Sequence, residues 1–314
     1  MSNDTSNLYF YISCYSGTLA KQIFHFIIFF IIYVLCLTGN LLLILVTILD
    51  FHLHTPMYFF LSNLAFVDMC YISVTLPKLM DIFLTGNNAI PFVPCFTQLR
   101  FFMMTATTEV FLLSSMAYDR YVAICNPLRY YLLMNNKMKT LLVLGSWVFG
   151  LINALSVTTF ASKLCFSASR VIHQLFCDIK SLFSISCSDT KDLQFIIYLE
   201  VFFVGFCPFL FNLISYAKII SSILRLQSTK ERRKTFSTCT SHLTVLLLFY
   251  GTSICMYMKP LSENLENQDQ LSSLLYVAVA PMLNPLIYSL RNQDVKKALN
   301  KCFSVERKRS SFHH

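Results

Sequence analysis

The chain has 314 residues, of which 55% are hydrophobic and 13% are charged, and its mean hydropathy is +0.58. A water-soluble domain cannot bury so much apolar surface, whereas a bilayer accommodates it in helices of about 20 apolar residues. The formal net charge of +9 therefore indicates membrane orientation rather than nucleic-acid binding. The seven His residues are scattered, and the sequence shows no Ser-His-Asp spacing or metal motif, which argues against an enzyme.

Seven apolar segments are long enough to span a bilayer. In chain order they cover residues 24–49, 57–83, 96–122, 140–160, 193–222, 237–258 and 270–290. Most of the 25 Lys and Arg residues fall on one side, which places the N-terminus outside and the C-terminus in the cytoplasm. The predicted fold is an all-α membrane protein with a seven-transmembrane helix bundle. Its parts are an extracellular N-terminal tail (1–22), the transmembrane domain (23–291), and a cytoplasmic amphipathic eighth helix and tail (292–314).

The outer tail and the outer loops carry the residues that an oxidising compartment modifies. Asn3 begins an N-glycosylation acceptor, and no cleavable signal peptide is expected because the start lacks a basic stretch followed by a short apolar core. The cysteines on the predicted outside are Cys14, Cys95, Cys165, Cys177 and Cys187. Their number predicts two disulfides and one spare thiol, Cys14. A metal site formed by His173 and Cys177 is the alternative.

The third span has a readable helical face. Residues that recur on it at steps of four and three are Phe102, Ala106, Glu109, Leu113, Met116 and Arg120. Because this face includes an intramembrane acid, Glu109, we expect it to point into the bundle. Asp119 and Arg120 end the apolar run, and charges there cost roughly 2.5–3.5 kcal/mol each, so the pair is expected to have a function.

Four polar groups lie near the middle of the membrane, namely Asn40, Asp68, Asn284 and the Glu109 already named. Lone polar groups there need partners, so a mutual network is expected. The network either holds a water molecule or a cation, or is purely structural. Asp68 with Glu109 is also the one candidate pair for an intramembrane enzyme.

Several longer strings occur in a fixed order. They are Gly39-Asn40, Leu53–Asp68, Met116–Cys125 with Asn126-Pro127-Leu128, Ser215-Tyr216, Lys234–His242 and Pro281–Asn292. Together they resemble the odorant (olfactory) receptors, a branch of the rhodopsin-like G-protein-coupled receptors, over nearly the whole chain. The T-P-M-Y-F-F-L string at residues 55–61 resembles the terrestrial-type (class II) branch, which is associated with volatile apolar ligands.

The resemblance implies an activation switch on the cytoplasmic side, in which Asp119 and Arg120 form a latch of the inactive state. The switch and G-protein-coupling residues that it implies are Asp119, Arg120, Tyr121, Tyr216, Lys234, His242, Asn284, Pro285 and Tyr288. Asp68, Glu109 and Asn284 resemble a central site that binds sodium in many relatives. A sodium ion at Asp68 and Glu109 is therefore the one cofactor expected.

The resemblance also pairs the outer cysteines. It implies a bridge between Cys95 and Cys177 and an additional bridge between Cys165 and Cys187. The chain departs from the family pattern at two places. The tail before the first span lacks the usual threonine-glutamate-phenylalanine segment, which puts surface delivery in doubt, and Arg100 replaces an apolar residue near the top of the third span.

By the same resemblance, the ligand pocket lies in the outer half between the third, fifth, sixth and seventh helices. The residues expected in its wall are Phe102, Met103, Ala106, Thr107, Glu200, Val204, Tyr250, Ser253, Tyr257 and Tyr276. Such pockets are mostly apolar with a few orienting polar groups. Glu200 either orients a ligand amine or hydroxyl, or is neutralised by Arg100 in a structural pair, and the pair is the expectation.

The resemblance implies an odorant receptor in the plasma membrane of olfactory neuron cilia. Such a receptor binds small, mostly apolar volatile molecules and activates a heterotrimeric G protein of the stimulatory, olfactory type to raise cAMP, with membrane lipids as its other partners. A rhodopsin-like receptor for an endogenous metabolite in non-olfactory tissue would share these motifs. A transporter is a further alternative, but the sequence shows no half-repeat of the kind typical of transporters.

Overall fold

The computed structural model describes residues 9–13, 18–166, 170–187, 191–225, 227–257, 274, 278–291 and 295–298. The helices are α1 (Leu19–Leu49), α2 (Pro56–Thr85), α3 (Phe92–Cys125), α4 (Tyr130–Leu133), α5 (Asn136–Ala161), α6 (Ile179–Ser184), α7 (Lys191–Glu200), α8 (Cys207–Leu224), α9 (Thr229–Tyr257) and α10 (Ala280–Arg291). A π-helical turn, Val201–Phe206, joins α7 to α8, so that the three form one continuous fifth span. Short 3-10 helices, Phe51–Leu53 and Pro127–Arg129, follow α1 and α3.

The predicted seven-helix bundle is confirmed. Spans one to seven correspond to α1, α2, α3, α5, α7 with α8, α9, and α10. Among the described residues, four helical runs meet both a length and an apolar-composition requirement for crossing a membrane, namely Leu19–Leu49, Pro56–Thr85, Asn136–Ala161 and Lys191–Leu224. Several helices extend beyond the predicted apolar segments; α9, for example, begins at Thr229 instead of residue 237. Backbone hydrogen bonds continue into polar residues beyond the apolar segment, so hydropathy locates the membrane-buried part and not the helix ends.

Helix α3 lies at the centre of the bundle and contacts α2, α5, α8 and α9. Its buried side chains include both apolar residues and the polar Thr108, Glu109 and Asp119. On the outermost helices many large apolar side chains are exposed, among them Phe24 and Ile48 of α1, each at 61%. In water this pattern would be unfavourable, whereas in a bilayer these side chains contact lipid.

The outer face carries a three-stranded sheet that the sequence analysis did not predict. Strand β1 (Tyr9–Ile12) pairs antiparallel with β2 (Ala89–Pro91) and parallel with β3 (Val171–Ile172). Phe10 and Ile12 are fully buried, whereas Tyr9 and Tyr11 are exposed. This alternation of buried and exposed side chains with period two is the sequence pattern that could have predicted the strand. The pairing of β1 with β2 and β3 integrates part of the predicted tail 1–22 into the outer surface.

The predicted amphipathic helix after the seventh span is described only at residues 295–298. These residues are helical, with Val295 and Ala298 buried and Lys296 and Lys297 exposed. The separation of apolar and basic side chains over this turn agrees with the amphipathic pattern of the sequence. The rest of the predicted helix lies outside the described residues.

Replacing Gly150 with alanine is expected to destabilise the bundle. A Cβ at this position of α5 would overlap Thr108 Oγ1 and would lie 2.7 Å from the Met104 carbonyl oxygen, both on α3. Because the backbone carbonyl cannot rotate away, the helices must separate, at a cost of about 1–3 kcal/mol. Thermal unfolding of the purified protein measures this loss. Gly145→Ala is the matched control, since nothing lies within 4 Å of a Cβ there, and equal melting temperatures for both variants would contradict the prediction.

Candidate functional site

The cytoplasmic end of α3 holds a closed ion pair. The Arg120 guanidinium donates to Asp119 Oδ2 through Nε at 2.9 Å and also through Nη2. The Tyr130 hydroxyl of α4 donates to the other carboxylate oxygen, Oδ1, at 2.8 Å. Asp119 is fully buried, so both of its oxygens are satisfied within the protein.

Tyr130 was missed by the sequence analysis. It lies on the short helix α4, which the turn at Asn126 and Pro127 folds back under α3. Burial, followed by the nearby Asp119 carboxylate, raises the pKa of Tyr130, so the phenol remains protonated and keeps its role as donor. The sequence contains one indication of this role, a tyrosine that follows the charged pair after a short loop. Such a pattern is weak evidence by itself.

The cytoplasmic halves of the fifth and sixth spans are joined by Tyr216 and His242. The Tyr216 hydroxyl lies 2.6 Å from His242 Nδ1, and both side chains are buried. Tyr121, which follows the ion pair on α3, has the Lys218 ammonium 5.6 Å from its ring centroid. The side chain of Lys234 lies outside the described residues. The structure thus brings most of the predicted switch residues to one end of the bundle.

The central polar residues are buried, but they do not form one network of side chains. Asn284 Nδ2 donates to Asp68 Oδ2 at 3.0 Å, and the Glu109 carboxyl lies near both of these groups. Asn40 instead donates to the backbone carbonyls of Cys36 at 3.0 Å and Pro281 at 3.4 Å. The prediction of a four-member network is therefore wrong for Asn40, because the carbonyl of its own preceding turn and that of the seventh span lie within its reach.

Pro285 and Tyr288 lie on the inner half of α10, next to this centre. Both are buried, and a Cβ on Gly39 of α1 would lie 3.3 Å from Pro285 Cγ. Gly39 therefore permits close approach of the first and seventh spans, which explains the Gly39-Asn40 string physically.

The outer cysteines follow the expectation only in part. Cys95 and Cys177 form the predicted disulfide and are fully buried. Gln98 supports this bridge by accepting from the Cys177 amide at 2.9 Å and donating to the Val74 carbonyl at 2.9 Å. Because Cys177 is bridged, the alternative of a metal site with His173 is wrong. Asn3 and Cys14 lie outside the described residues.

The structure does not contain the additional bridge between Cys165 and Cys187. A β-bridge between Phe166 and Ser186 brings the two cysteines together, with the Cys187 amide 3.0 Å from the Cys165 carbonyl oxygen. The Cys187 thiol donates to the same carbonyl at 3.3 Å. The prediction is thus corrected, because the thiol of Cys187 turns to a backbone acceptor instead of the partner sulfur.

The predicted pocket residues lie in the outer half, on α3, the fifth span and α9. Phe102, Met103 and Thr107 are buried, and Ala106, Val204, Tyr250 and Ser253 are half-buried. Phe102 packs between Tyr71 and Phe176, with ring centroids 5.2 and 4.7 Å away. The hydroxyl of Tyr250 accepts from Asn212 Nδ2 at 3.2 Å, and that of Ser253 donates to the Phe249 carbonyl at 2.7 Å. The side chains of Tyr257 and Tyr276 lie outside the described residues.

Glu200 and Arg100 do not pair, so that expectation is wrong. Arg100 Nε donates to Thr158 Oγ1 at 3.2 Å. Glu200 Oε1 accepts from Asn153 Nδ2 at 3.1 Å, and the same nitrogen lies 2.9 Å from Thr107 Oγ1. The two charged side chains thus bond to different residues of α5. The packing of α5 between α3 and the fifth span determines which residue each of them reaches.

A groove of about 690 Å³ lies elsewhere, in the inner half between α3, α5 and the fifth span. Its wall includes Phe111, Gly145, Phe149, Phe203 and Phe211, several of which are exposed on the side that faces lipid. None of the predicted pocket residues lines it. The groove is therefore distinct from the predicted outer pocket.

Comparison with known proteins agrees with this arrangement. The family model "Olfactory receptor" matches residues 29–306. The chain is 43% identical to olfactory receptor 13C9 of Homo sapiens over 303 residues, which is 95% of each chain. It is 47% identical to olfactory receptor 8B8 of Mus musculus over 287 residues, which is 91% of each. The crystal structure of squid rhodopsin superposes with a TM-score of 0.75 at 17% identity, over 93% of this chain and 83% of that chain, and shows the fold alone. The chain therefore belongs to the olfactory receptor family and is a multi-pass G-protein-coupled receptor that senses odorants, not an enzyme.

Proposed function

We propose that this receptor binds small, mostly apolar volatile molecules between the outer halves of α3 and of the fifth, sixth and seventh spans. We propose further that it activates a stimulatory, olfactory-type G protein to raise cAMP, in the plasma membrane of olfactory neuron cilia. The observation that carries the proposal is the position of α3. Its outer half carries the half-buried Ala106, and α3 contacts the fifth span and α9, which carry the half-buried Val204 and Tyr250. Its inner end carries the Asp119–Arg120 pair.

The energy for signalling comes from differential binding. An agonist shifts the equilibrium only if it binds the active form better than the inactive form, and couplings between distant sites are typically about 1–3 kcal/mol. Burial of an apolar ligand contributes about 25 cal/mol per Å², from which the cost of association is subtracted. A small volatile molecule is therefore expected to bind with modest affinity.

Expression of the receptor in cells that contain a stimulatory olfactory-type G protein tests the proposal. Intracellular cAMP is recorded across a chemically diverse panel of volatile molecules, together with surface staining. Cells that lack the stimulatory α subunit are the control. A selective, dose-dependent rise that needs this subunit supports the proposal. A receptor that is at the surface and responds to an endogenous metabolite but to no volatile would contradict it.

We also propose that Asp68 and Glu109 hold a sodium ion. Asp68 Oδ1 is buried and has no hydrogen-bond partner in the described part of the chain, and the Glu109 carboxyl is close enough to Asp68 for an interaction of like charges. Carboxylate oxygens are hard ligands that suit such a cation, whose charge would offset the repulsion between the two groups. The alternatives of a water molecule and of a purely structural cluster predict no preference for sodium.

Sodium is expected to stabilise the purified receptor against heat, and Asp68→Asn is expected to remove the effect. At a concentration tenfold above its dissociation constant, a ligand that binds only the folded state contributes about 1.4 kcal/mol. Melting temperatures are measured in sodium chloride and in choline chloride at equal ionic strength. Identical curves for the unchanged receptor in the two salts would contradict a sodium site.

A further inference from the structure

Glu200 is a carboxylate within the fifth span that has one hydrogen-bond partner. In the described part of the chain this partner is Asn153, whose Nδ2 donates to Glu200 Oε1 at 3.1 Å and to Thr107 Oγ1 at 2.9 Å. Both hydrogens of that amide are therefore used, one for each acceptor. The second carboxylate oxygen of Glu200 remains to accept from another group.

No cation of the described residues neutralises Glu200. Between described residues, ion pairs join Lys78 to Asp81 and Arg120 to Asp119, and the His52 ring contacts Asp50. Arg100 is bonded to Thr158 and is exposed. Asp178, which is fully buried in the outer loop, is close enough to Glu200 for an unfavourable interaction of like charges. An acid at this depth costs free energy unless a positive charge is supplied or the group is protonated.

The position of Glu200 relates it to the outer pocket. Val204 lies four residues further along the same helical run, so the two side chains point to a similar side. Through Asn153, Glu200 is joined to Thr107, the immediate neighbour of Ala106 on α3. The carboxylate thus lies at the border between the fourth and fifth spans, next to half-buried residues of the expected pocket wall.

We propose that Glu200 is an anionic subsite that selects protonated amines among the volatile ligands of this receptor. The proposal rests on the function proposed above and adds a ligand class to it. Aliphatic amines are cations at neutral pH, because an alkylammonium group has an ordinary pKa of about 10.4. An ammonium group donates a charge-assisted hydrogen bond to the open carboxylate oxygen and supplies the missing positive charge, whereas a hydroxyl group does only the first.

Pairs of volatile molecules that share a carbon skeleton test this selectivity. Cyclohexylamine with cyclohexanol and pentylamine with pentanol are applied to cells that express the receptor, and cAMP dose responses are recorded. The receptor is expected to respond to the amines at about tenfold or more lower concentration than to the alcohols. Glu200→Gln is expected to remove this preference, because the amide has no charge to pair with the ammonium group.

Two control variants separate loss of the subsite from loss of the fold. Asp192→Asn removes a carboxylate from the exposed outer end of the same helix, α7, and is expected to keep the amine preference. Glu200→Asp keeps a carboxylate and is expected to retain part of the preference for amines. An amine preference that survives in Glu200→Gln, or that disappears equally in Asp192→Asn, would overturn the proposal.

Thermal unfolding of the purified receptor tests the subsite without signalling. Cyclohexylamine is expected to raise the melting temperature of the unchanged receptor and not that of Glu200→Gln. A rise of equal size in both, or no rise in either, would overturn the subsite. A receptor that is silent to every volatile in the cAMP assay but shows the Glu200-dependent rise would instead contradict the proposed signalling function and support the subsite.

Discussion

Replacement of Arg120 with alanine is expected to abolish most of the agonist-evoked cAMP signal of those receptors that reach the cell surface. In the structure Arg120 donates two hydrogen bonds to Asp119, and Tyr130 completes that carboxylate. When the cytoplasmic face opens, the guanidinium is expected to leave this pair and to become accessible to the G protein. Without the guanidinium, the active form is expected to lose this contact with the G protein. A loss of about 1–3 kcal/mol of coupling free energy lowers the cAMP response about tenfold or more.

The measurement is cAMP at a saturating concentration of an identified agonist, normalised to surface staining. Arg120→Lys is the matched control, because it keeps the charge but loses the planar fork that binds a carboxylate through two bonds. Its response is expected to lie between those of the unchanged receptor and Arg120→Ala. Normal signalling by Arg120→Ala at equal surface density would show that the pair is only structural.

The contact between Tyr130 and Asp119 allows a second test, which concerns the stability of the Arg120→Ala variant. The alanine variant leaves the Asp119 carboxylate buried with the Tyr130 hydroxyl as its remaining partner. Removal of one partner of a buried pair typically costs about 3–5 kcal/mol unless the remaining group is protonated. Surface density that falls in Arg120→Ala and recovers in the double variant Asp119→Asn with Arg120→Ala would identify this uncompensated charge as the cause.

Replacement of Cys95 with serine is expected to remove most of the receptor from the cell surface. The bridge to Cys177 closes a loop with a sequence separation of 82 residues. Loss of a cross-link over such a loop costs about 4–5 kcal/mol in the chain-entropy estimate, which is a large part of the stability of a typical protein. Surface staining, compared with total protein, measures the effect.

Cys177→Ser is expected to be equally damaging, and the double variant no worse than either, because all three remove the same bond. Cys187→Ser is the matched control in the same outer loop. Its thiol bonds to the Cys165 carbonyl and forms no disulfide in the structure, so its loss is expected to cost about 1 kcal/mol or less. Cys187→Ser as damaging as Cys95→Ser would show that the folded receptor needs a bridge there.

The membrane topology follows from the sequence alone. Apolar runs of about 20 residues can satisfy their backbone only as helices in a bilayer, so composition and charge placement fix the spans and their orientation without knowledge of contacts. The strings around Arg120 and Asn284 likewise identify the family, and comparison with known proteins confirms it. These features depend on residues that are close together in the chain.

Only the tertiary structure decided the partners of individual polar groups. The expected pair of Arg100 with Glu200 does not form, because α5 places Thr158 beside the first and Asn153 beside the second. Tyr130 became part of the site through the turn after α3, and residues 9–12 became a strand because β2 and β3 lie beside them. A side chain bonds to whatever the packing of distant helices brings within about 3 Å, and neither hydropathy nor spacing along the chain encodes that distance.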